Sequence, residues 1–140
     1  MTTAVDSNVL VALWDRDAAV STAAQSALDN GLKRGALVVS GPVFAELMAA
    51  PGRTEAFLTS FFNNTGIDLE FDLEDAIWRL AGRAFQSYAM RRWKRRDPGP
   101  RRILADFLIG AHAAYRRYSL LTLDEGLYQG AFPNLLVVTI

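Results

Sequence analysis

The sequence predicts one α/β domain built around a mostly parallel sheet of four to five short strands. Three observations predict it. Short apolar runs rich in β-branched residues recur along the chain, separated by glycines and polar turns. Between them lie longer segments with apolar residues at helical spacing. The 140 residues suit one domain, and an apolar content of 51% is ample for a core. No internal repeat, low-complexity tract or linker interrupts residues 1–140, so the chain reads as a single domain.

In chain order, Thr3 to Asp6 ("TAVD") reads as a very short first strand. "SNVLVALWD" follows with Val9, Leu10, Leu13 and Trp14 at helical spacing, and Ser7 is placed to cap it. Asp17 to Arg34 is a more polar helix stopped near Gly31 or Gly35. Ala36 to Ser40 ("ALVVS") has the profile of a buried parallel strand. "GPVFAELMAA" is a helix with Pro42 in its first turn, ended by Pro51-Gly52. Thr54 to Phe62 is another helix, and "GIDLEF" a strand. "DLEDAIWRLAGRAFQSYAMRRWKRR" is a long helix whose acidic start suits the helix dipole, broken by Asp97 to Pro100 in a loop within the domain. Arg101 to Tyr118 is a helix, "SLLT" a strand, "LDEGLYQG" a loop or short helix, and "NLLVVTI" a last strand.

Composition removes several functional classes. The formal charge is zero, so a nucleic-acid argument must rest on where charges lie. There is no cysteine, which excludes disulfides and thiolate metal sites. "MTTAVDSNVL" lacks the basic leader and apolar stretch of a signal peptide. No apolar run approaches the roughly 18 residues of a membrane helix. The expectation is a soluble, cytoplasmic domain.

One residue stands out. Asp106 lies in "ILADFLIGAHA" with no adjacent Lys or Arg. A lone ionised carboxylate among apolar neighbours is costly unless it is paired, protonated or bound to a metal. Ligands of open parallel sheets gather beyond the C-terminal strand ends. Asp6 ends the first strand, Asp124 lies just past "SLLT", Glu46 sits about one turn into the helix after "ALVVS", and Asp106 is near the start of its helix. Four carboxylates from distant parts of the chain are thus expected to converge. Such a group repels itself unless a cation joins it. All-oxygen ligation suits Mg²⁺ or Mn²⁺, which activate water beside phosphate.

Each acid also has a plain structural reading. Asp6 suits a capping turn, Glu46 a solvent-facing helix position, Asp106 a first-turn acid on the dipole, and Asp124 an ordinary turn. Four coincidences at strand ends are a weaker explanation than one shared site.

"VDSNVLVALW", "PVFAELM", "ADFLIGAHA" and "LLTLDEGLY…FPNLLVV" together resemble, in order and spacing, the signature blocks of the PIN-domain family. They are most similar to the toxin of VapBC-type toxin–antitoxin pairs. The resemblance spans Thr3 to Val138. It implies a three-layer α/β/α fold and an Mg²⁺- or Mn²⁺-dependent endoribonuclease, usually dimeric and held inactive by an antitoxin. It assigns Asp6, Glu46, Asp106 and Asp124 as metal-binding and catalytic acids. Thr122 belongs to the "T-x-D" pattern around Asp124. Ser7 and Asn8 match the small polar residues after the first acid, which orient it or a metal-bound water, or cap the helix.

One segment departs from the family pattern. "MRRWKRRDPGPRR" is unusually basic: Arg91, Arg92, Lys94, Arg95, Arg96, Arg101 and Arg102 flank the loop leading to Asp106. Positive charge beside an acidic cleft is what docking an RNA backbone requires, and Trp93 is placed to stack on a base. The alternatives are a solvated helix end and a Trp anchored in the core. His112, six residues after Asp106, falls on another face of the helix and reads as a core histidine. Trp14, Phe44, Trp78 and Phe85 read as core or subunit contacts. Phe57, Leu58, Phe61 and Phe62 form an apolar patch suited to a dimer face or an antitoxin groove. Two other functional classes remain. A phosphatase of the haloacid dehalogenase type needs a second Asp two residues after the first, where Asn8 stands. A non-catalytic RNA- or protein-binding domain needs none of the acids.

Overall fold

The computed structural model describes residues 1–96 and 102–140. The expected break at Asp97 to Pro100, and Arg101, lie outside the described residues. Five parallel strands and seven helices are described. The strands are β1 (Thr3–Val5), β2 (Leu37–Ser40), β3 (Asp68–Glu70), β4 (Ser119–Leu121) and β5 (Val137–Val138). The helices are α1 (Ser7–Leu13), α2 (Ala18–Arg34), α3 (Gly41–Met48), α4 (Glu55–Thr65), α5 (Asp75–Arg95), α6 (Leu104–Tyr115) and α7 (Glu125–Ala131). None is long and apolar enough to cross a membrane.

The sheet order is β3-β2-β1-β4-β5. From β1 the chain steps outward to β2 and β3, then returns across the sheet to β4 and β5. Right-handed crossovers therefore place α1 to α4 on one face and α5 to α7 on the other. The order reverses between β1 and β4, which pair with Val5 beside Leu121. The crevice beyond these two strand ends is the topological switch point, where open α/β sheets bind ligands.

Local chemistry explains the element ends. Asp17 caps α2 by accepting from the Ala19 N–H at 2.9 Å, and Thr54 caps α4 through the Phe57 N–H at 3.1 Å. Gly66 closes α4 at φ 73°, a left-handed position that glycine adopts without strain. The central strands β1, β2 and β4 are wholly buried, as their unbroken apolar runs require. The α6 helix is buried from Phe107 to Ala113.

Three expectations change. The helix expected from Arg101 to Tyr118 is shorter. Extended Ile103 precedes its first turn, and Arg117 at φ 59° turns the chain so that the Tyr118 N–H bonds the Ala113 carbonyl. Trp78 is half exposed, so within this chain it is not a core residue, whereas Trp14, Phe44 and Phe85 pack partly buried against the core. The α4 aromatic patch splits by helical phase: Leu58 and Phe62 enter the core, Phe61 is partly buried against it, and Phe57 is exposed; Phe57 and Phe61 both meet Trp14, with Arg53 stacked over Trp14 and Phe57.

Candidate metal and nuclease site

Asp6 directly follows β1 and is the residue that caps α1. Its backbone is extended, and its Oδ1 accepts the Ser7 N–H at 2.7 Å. The cap expected at Ser7 therefore falls one residue earlier. Ser7 is the first helical residue, and its hydroxyl donates to Glu46 Oε1 at 2.9 Å. That bond ties α1 to α3 and steers Glu46 toward Asp6.

On its other side, Asp6 Oδ2 accepts the Thr122 hydroxyl at 2.7 Å, and the nearby Tyr128 hydroxyl also favours the charged carboxylate. Thr122 is fully buried just past β4. Its oxygen also accepts the Asp124 N–H at 3.0 Å and the Asn8 side-chain amide at 3.4 Å. Asn8 Oδ1 in turn accepts the Leu123 N–H at 3.1 Å. Ser7, Asn8 and Thr122 thus hold the acids and the loop after β4 in place.

Asp106 lies in the first turn of α6, where its Oδ2 accepts the Ile103 N–H at 3.2 Å. It meets the other acids electrostatically. Burial raises the Asp6 carboxyl, and the charge of Asp106 adds to this against the hydrogen bonds from Thr122, Tyr128 and Ser7. Glu46 is raised by partial burial, and further by Asp6 and Asp106. Asp106 is raised by partial burial and by Asp124, while the Ile103 N–H and Arg102 oppose the shift. Three carboxylates from β1, α3 and α6 therefore repel one another across the switch point.

The fourth acid differs. Asp124 is half-buried and paired with Arg102, Nη1 to Oδ2 at 2.6 Å. Arg102, at the entry to α6, bears on Asp106 as well. The basic-segment reading turns Arg102 toward RNA; its partner here is an acid of the site.

The donor set fits a hard divalent cation. It is all oxygen, its carboxylates bear on one another with Arg102 offsetting only part of the charge, and Glu46 and Asp106 remain partly open to solvent. Among the described residues no three acidic or histidine side chains close into a ready-made metal cage. Were such an ion bound, Asp6, Glu46 and Asp106 would be the residues to hold it, with Asp124 beside them.

Tyr128 is a site residue that the motifs do not mark. It is buried under Asp6, and burial and the charges of Asp6 and Asp106 hold its hydroxyl protonated as a donor. The available signal is its position four residues after Asp124, on the same side of a short helix. Gly110 makes room for it: a Cβ there would lie 2.3 Å from the Phe132 ring and 3.0 Å from that of Tyr128.

The other sequence candidates fall outside the pocket. His112 is fully buried and bonds Glu70 Oε1 through Nε2 at 2.9 Å, within a cluster that includes Arg116, Glu74 and Tyr118. Burial lowers its pKa, against the pull of Glu70. It is a core histidine, as its spacing from Asp106 indicates. Arg91, Lys94, Arg95 and Arg96 are exposed at the C-terminal end of α5, while Arg92 is partly buried. Trp93 among them is 83% exposed, which excludes the core-anchor reading within this chain.

The fold is a parallel α/β domain with acidic side chains from separate elements gathered at its switch point. The chain belongs to the PIN domain family, whose profile matches residues 3–133. Among solved structures, it is similar to VapBC2 from Rickettsia felis bound to a promoter DNA fragment, with a TM-score of 0.74 and 17% identity over 100% of this chain and 99% of that one. It is also similar to VapBC-1 from nontypeable Haemophilus influenzae (TM-score 0.67, 18% identity, 99% and 98% of the two chains). FitAcB from Neisseria gonorrhoeae gives a TM-score of 0.65 at 20% identity, over 96% and 95%. At these identities the likeness establishes the fold. No curated protein matches the chain at a significant level.

Proposed function

We propose that this chain is a divalent-metal-dependent endoribonuclease and the toxin of a toxin–antitoxin pair. The observation that carries the reading is the meeting of Asp6, Glu46 and Asp106 at the switch point, each raised by burial and by its acidic neighbours. Membership of the PIN family, whose domains are generally nucleases, supports hydrolysis of a phosphodiester. An Mg²⁺ or Mn²⁺ ion held there supplies Lewis-acid activation of a water and neutralises phosphate charge. The chain's own residues do the rest. Thr122 and the Ser7 N–H fix Asp6, the Ser7 hydroxyl fixes Glu46, and the Ile103 N–H fixes Asp106. Fixed carboxylates need no reorganisation when charge arrives, which is the basis of electrostatic preorganisation.

RNA is the favoured substrate because exposed cations Arg91, Lys94, Arg95 and Arg96 surround exposed Trp93. Cations bind backbone phosphate without regard to sequence, and an exposed indole stacks on an unpaired base. Structural neighbours named for toxin–antitoxin complexes support an antitoxin partner. Cytoplasmic action as a homodimer completes the reading. Exposed Phe57 and the partly buried Trp14, beside a cavity of about 380 Å³ lined by Val11, Trp14, Pro51 and Arg53, offer apolar surface for such contacts. The phosphatase alternative gains nothing from the geometry, because Asn8 commits its side chain to Leu123 and Thr122.

The test is cleavage of total RNA with Mg²⁺ or Mn²⁺ and with chelator. The reading expects metal-dependent cleavage that disappears in Asp6→Asn and Asp106→Asn. Metal-independent cleavage, or RNA binding without cleavage, contradicts it.

A further inference from the structure

The four acids are not equivalent, and the difference lies in Arg102. Asp6, Glu46 and Asp106 bear one another's charge, whereas Asp124 has a guanidinium at 2.6 Å. Arg102 is not a loose surface side chain. Its backbone N–H donates to the Tyr88 hydroxyl at 2.8 Å, and Tyr88 stands against Phe85 and Phe107. Asp124 is fixed equally well, through its own N–H on Thr122. The ion pair therefore spans the pocket mouth between two anchored segments, the entry to α6 and the entry to α7. Among the described residues no second acceptor meets the guanidinium, so part of its donor fork is free.

We propose that Arg102 is a positioning cation of the nuclease site: it pairs with Asp124 while the pocket is empty, opposes metal entry by its charge, and turns its fork to a substrate phosphate when RNA binds. This rests on the nuclease reading above. A guanidinium matches a phosphate bidentately, and the phosphate's charge replaces the carboxylate it leaves. Asp124 is then released to the cation beside it. The pair thus couples substrate arrival to completion of the site.

The charge argument has a consequence that structural support alone does not share. Removing a cation beside a carboxylate pocket strengthens divalent-cation binding, whereas loosening a structural clasp weakens it. Mn²⁺ affinity is measured by calorimetry on the full chain for wild type, Arg102→Gln and Arg102→Lys. Steady-state cleavage of an unstructured oligoribonucleotide is measured beside it. Arg102→Gln is expected to bind Mn²⁺ roughly three- to tenfold more tightly and to raise KM for the oligoribonucleotide about tenfold, with a smaller change in kcat. Arg102→Lys, which keeps the charge, is expected to return Mn²⁺ affinity to that of wild type. Unchanged or weaker Mn²⁺ binding in Arg102→Gln, an unchanged KM, or a lysine variant that binds Mn²⁺ as tightly as the glutamine one overturns the inference while leaving the nuclease reading standing. A wild type that takes up no Mn²⁺ and cuts no RNA overturns both.

Discussion

The Thr122 hydroxyl donates a 2.7 Å hydrogen bond to Asp6 Oδ2 and joins the ends of two neighbouring strands, β1 and β4, at the floor of the acidic pocket. The same oxygen accepts from the Asp124 N–H and the Asn8 amide, so its one donor and both lone pairs are used inside the protein. A threonine here sets the direction of the first acid and the path of the chain to the fourth.

Thr122→Val keeps the shape and removes the hydroxyl. It leaves a buried carboxylate short of one donor and a backbone N–H without its acceptor. The expected loss is about 1–3 kcal/mol of stability, with a larger proportional loss of cleavage. Thr122→Ser is expected to stay near wild type in both. Denaturant melts and initial cleavage rates check this.

Asp106→Asn is expected to raise the Tm of the metal-free protein at neutral pH. The wild-type carboxyl is raised in the folded state, so the ionised form is held against burial and repulsion. A group raised on folding gains stability as pH falls through its folded value, because the folded chain takes up the proton first. The variant's advantage therefore shrinks on acidification. Mn²⁺ is expected to raise the Tm of wild type and not of the variant. Thermal melts at two pH values, with and without Mn²⁺, read both effects.

His112 and Glu70 carry the opposite sign. Burial lowers the His112 pKa despite Glu70, so the unfolded chain binds a proton first as pH drops below 6.5. Burial works to raise Glu70, but hydrogen bonds from His112, Tyr118 and Arg116 outweigh it, and its carboxyl is lowered. Its contribution is present above 4.5 and is lost below. Stability attributable to this cluster is expected to fall from pH 6.5 downward. His112→Gln, which retains a donor to Glu70 without titrating, is expected to remove the part of the fall that begins below 6.5, ahead of the Glu70 part. Urea unfolding across that window compares the two proteins.

Gly110→Ala tests the packing beneath the site. The added methyl meets the Phe132 ring and forces α7 outward, which draws Tyr128 from Asp6. The expected cost is roughly 1–3 kcal/mol, together with reduced cleavage. A variant with native stability and full activity contradicts the close approach of α6 and α7.

The exposed end of α5 is separable from the pocket. Replacing Arg91, Lys94 and Arg95 together by Ala is expected to leave the melt and Mn²⁺ uptake unchanged. RNA affinity is expected to fall. Its salt dependence is expected to flatten by about 0.7 in log–log slope for each phosphate that the variant no longer neutralises. Filter binding across a salt series measures it.

The fold is legible where local chemistry and tertiary packing agree. Unbroken apolar runs such as "LVVS" become buried parallel strands because both faces of the sheet are covered. Asp6 and Asp124 are legible because strand ends in an open parallel sheet share one edge. What the sequence conceals depends on distance in the chain. Arg102 pairs with an acid 22 residues away, and Tyr128 reaches Asp6 only because Gly110 lets α7 settle on α6. Trp78 departs from the core reading because periodicity marks an apolar residue without saying whether its own chain covers it.

The central claim is that Asp6, Glu46 and Asp106, brought together by folding, hold a divalent cation. Calorimetric titration of the metal-free protein with Mn²⁺ tests it most directly. The account expects saturable uptake that is abolished or strongly weakened in each of Asp6→Asn, Glu46→Gln and Asp106→Asn. No uptake by the wild type, or uptake that survives all three substitutions, would contradict it.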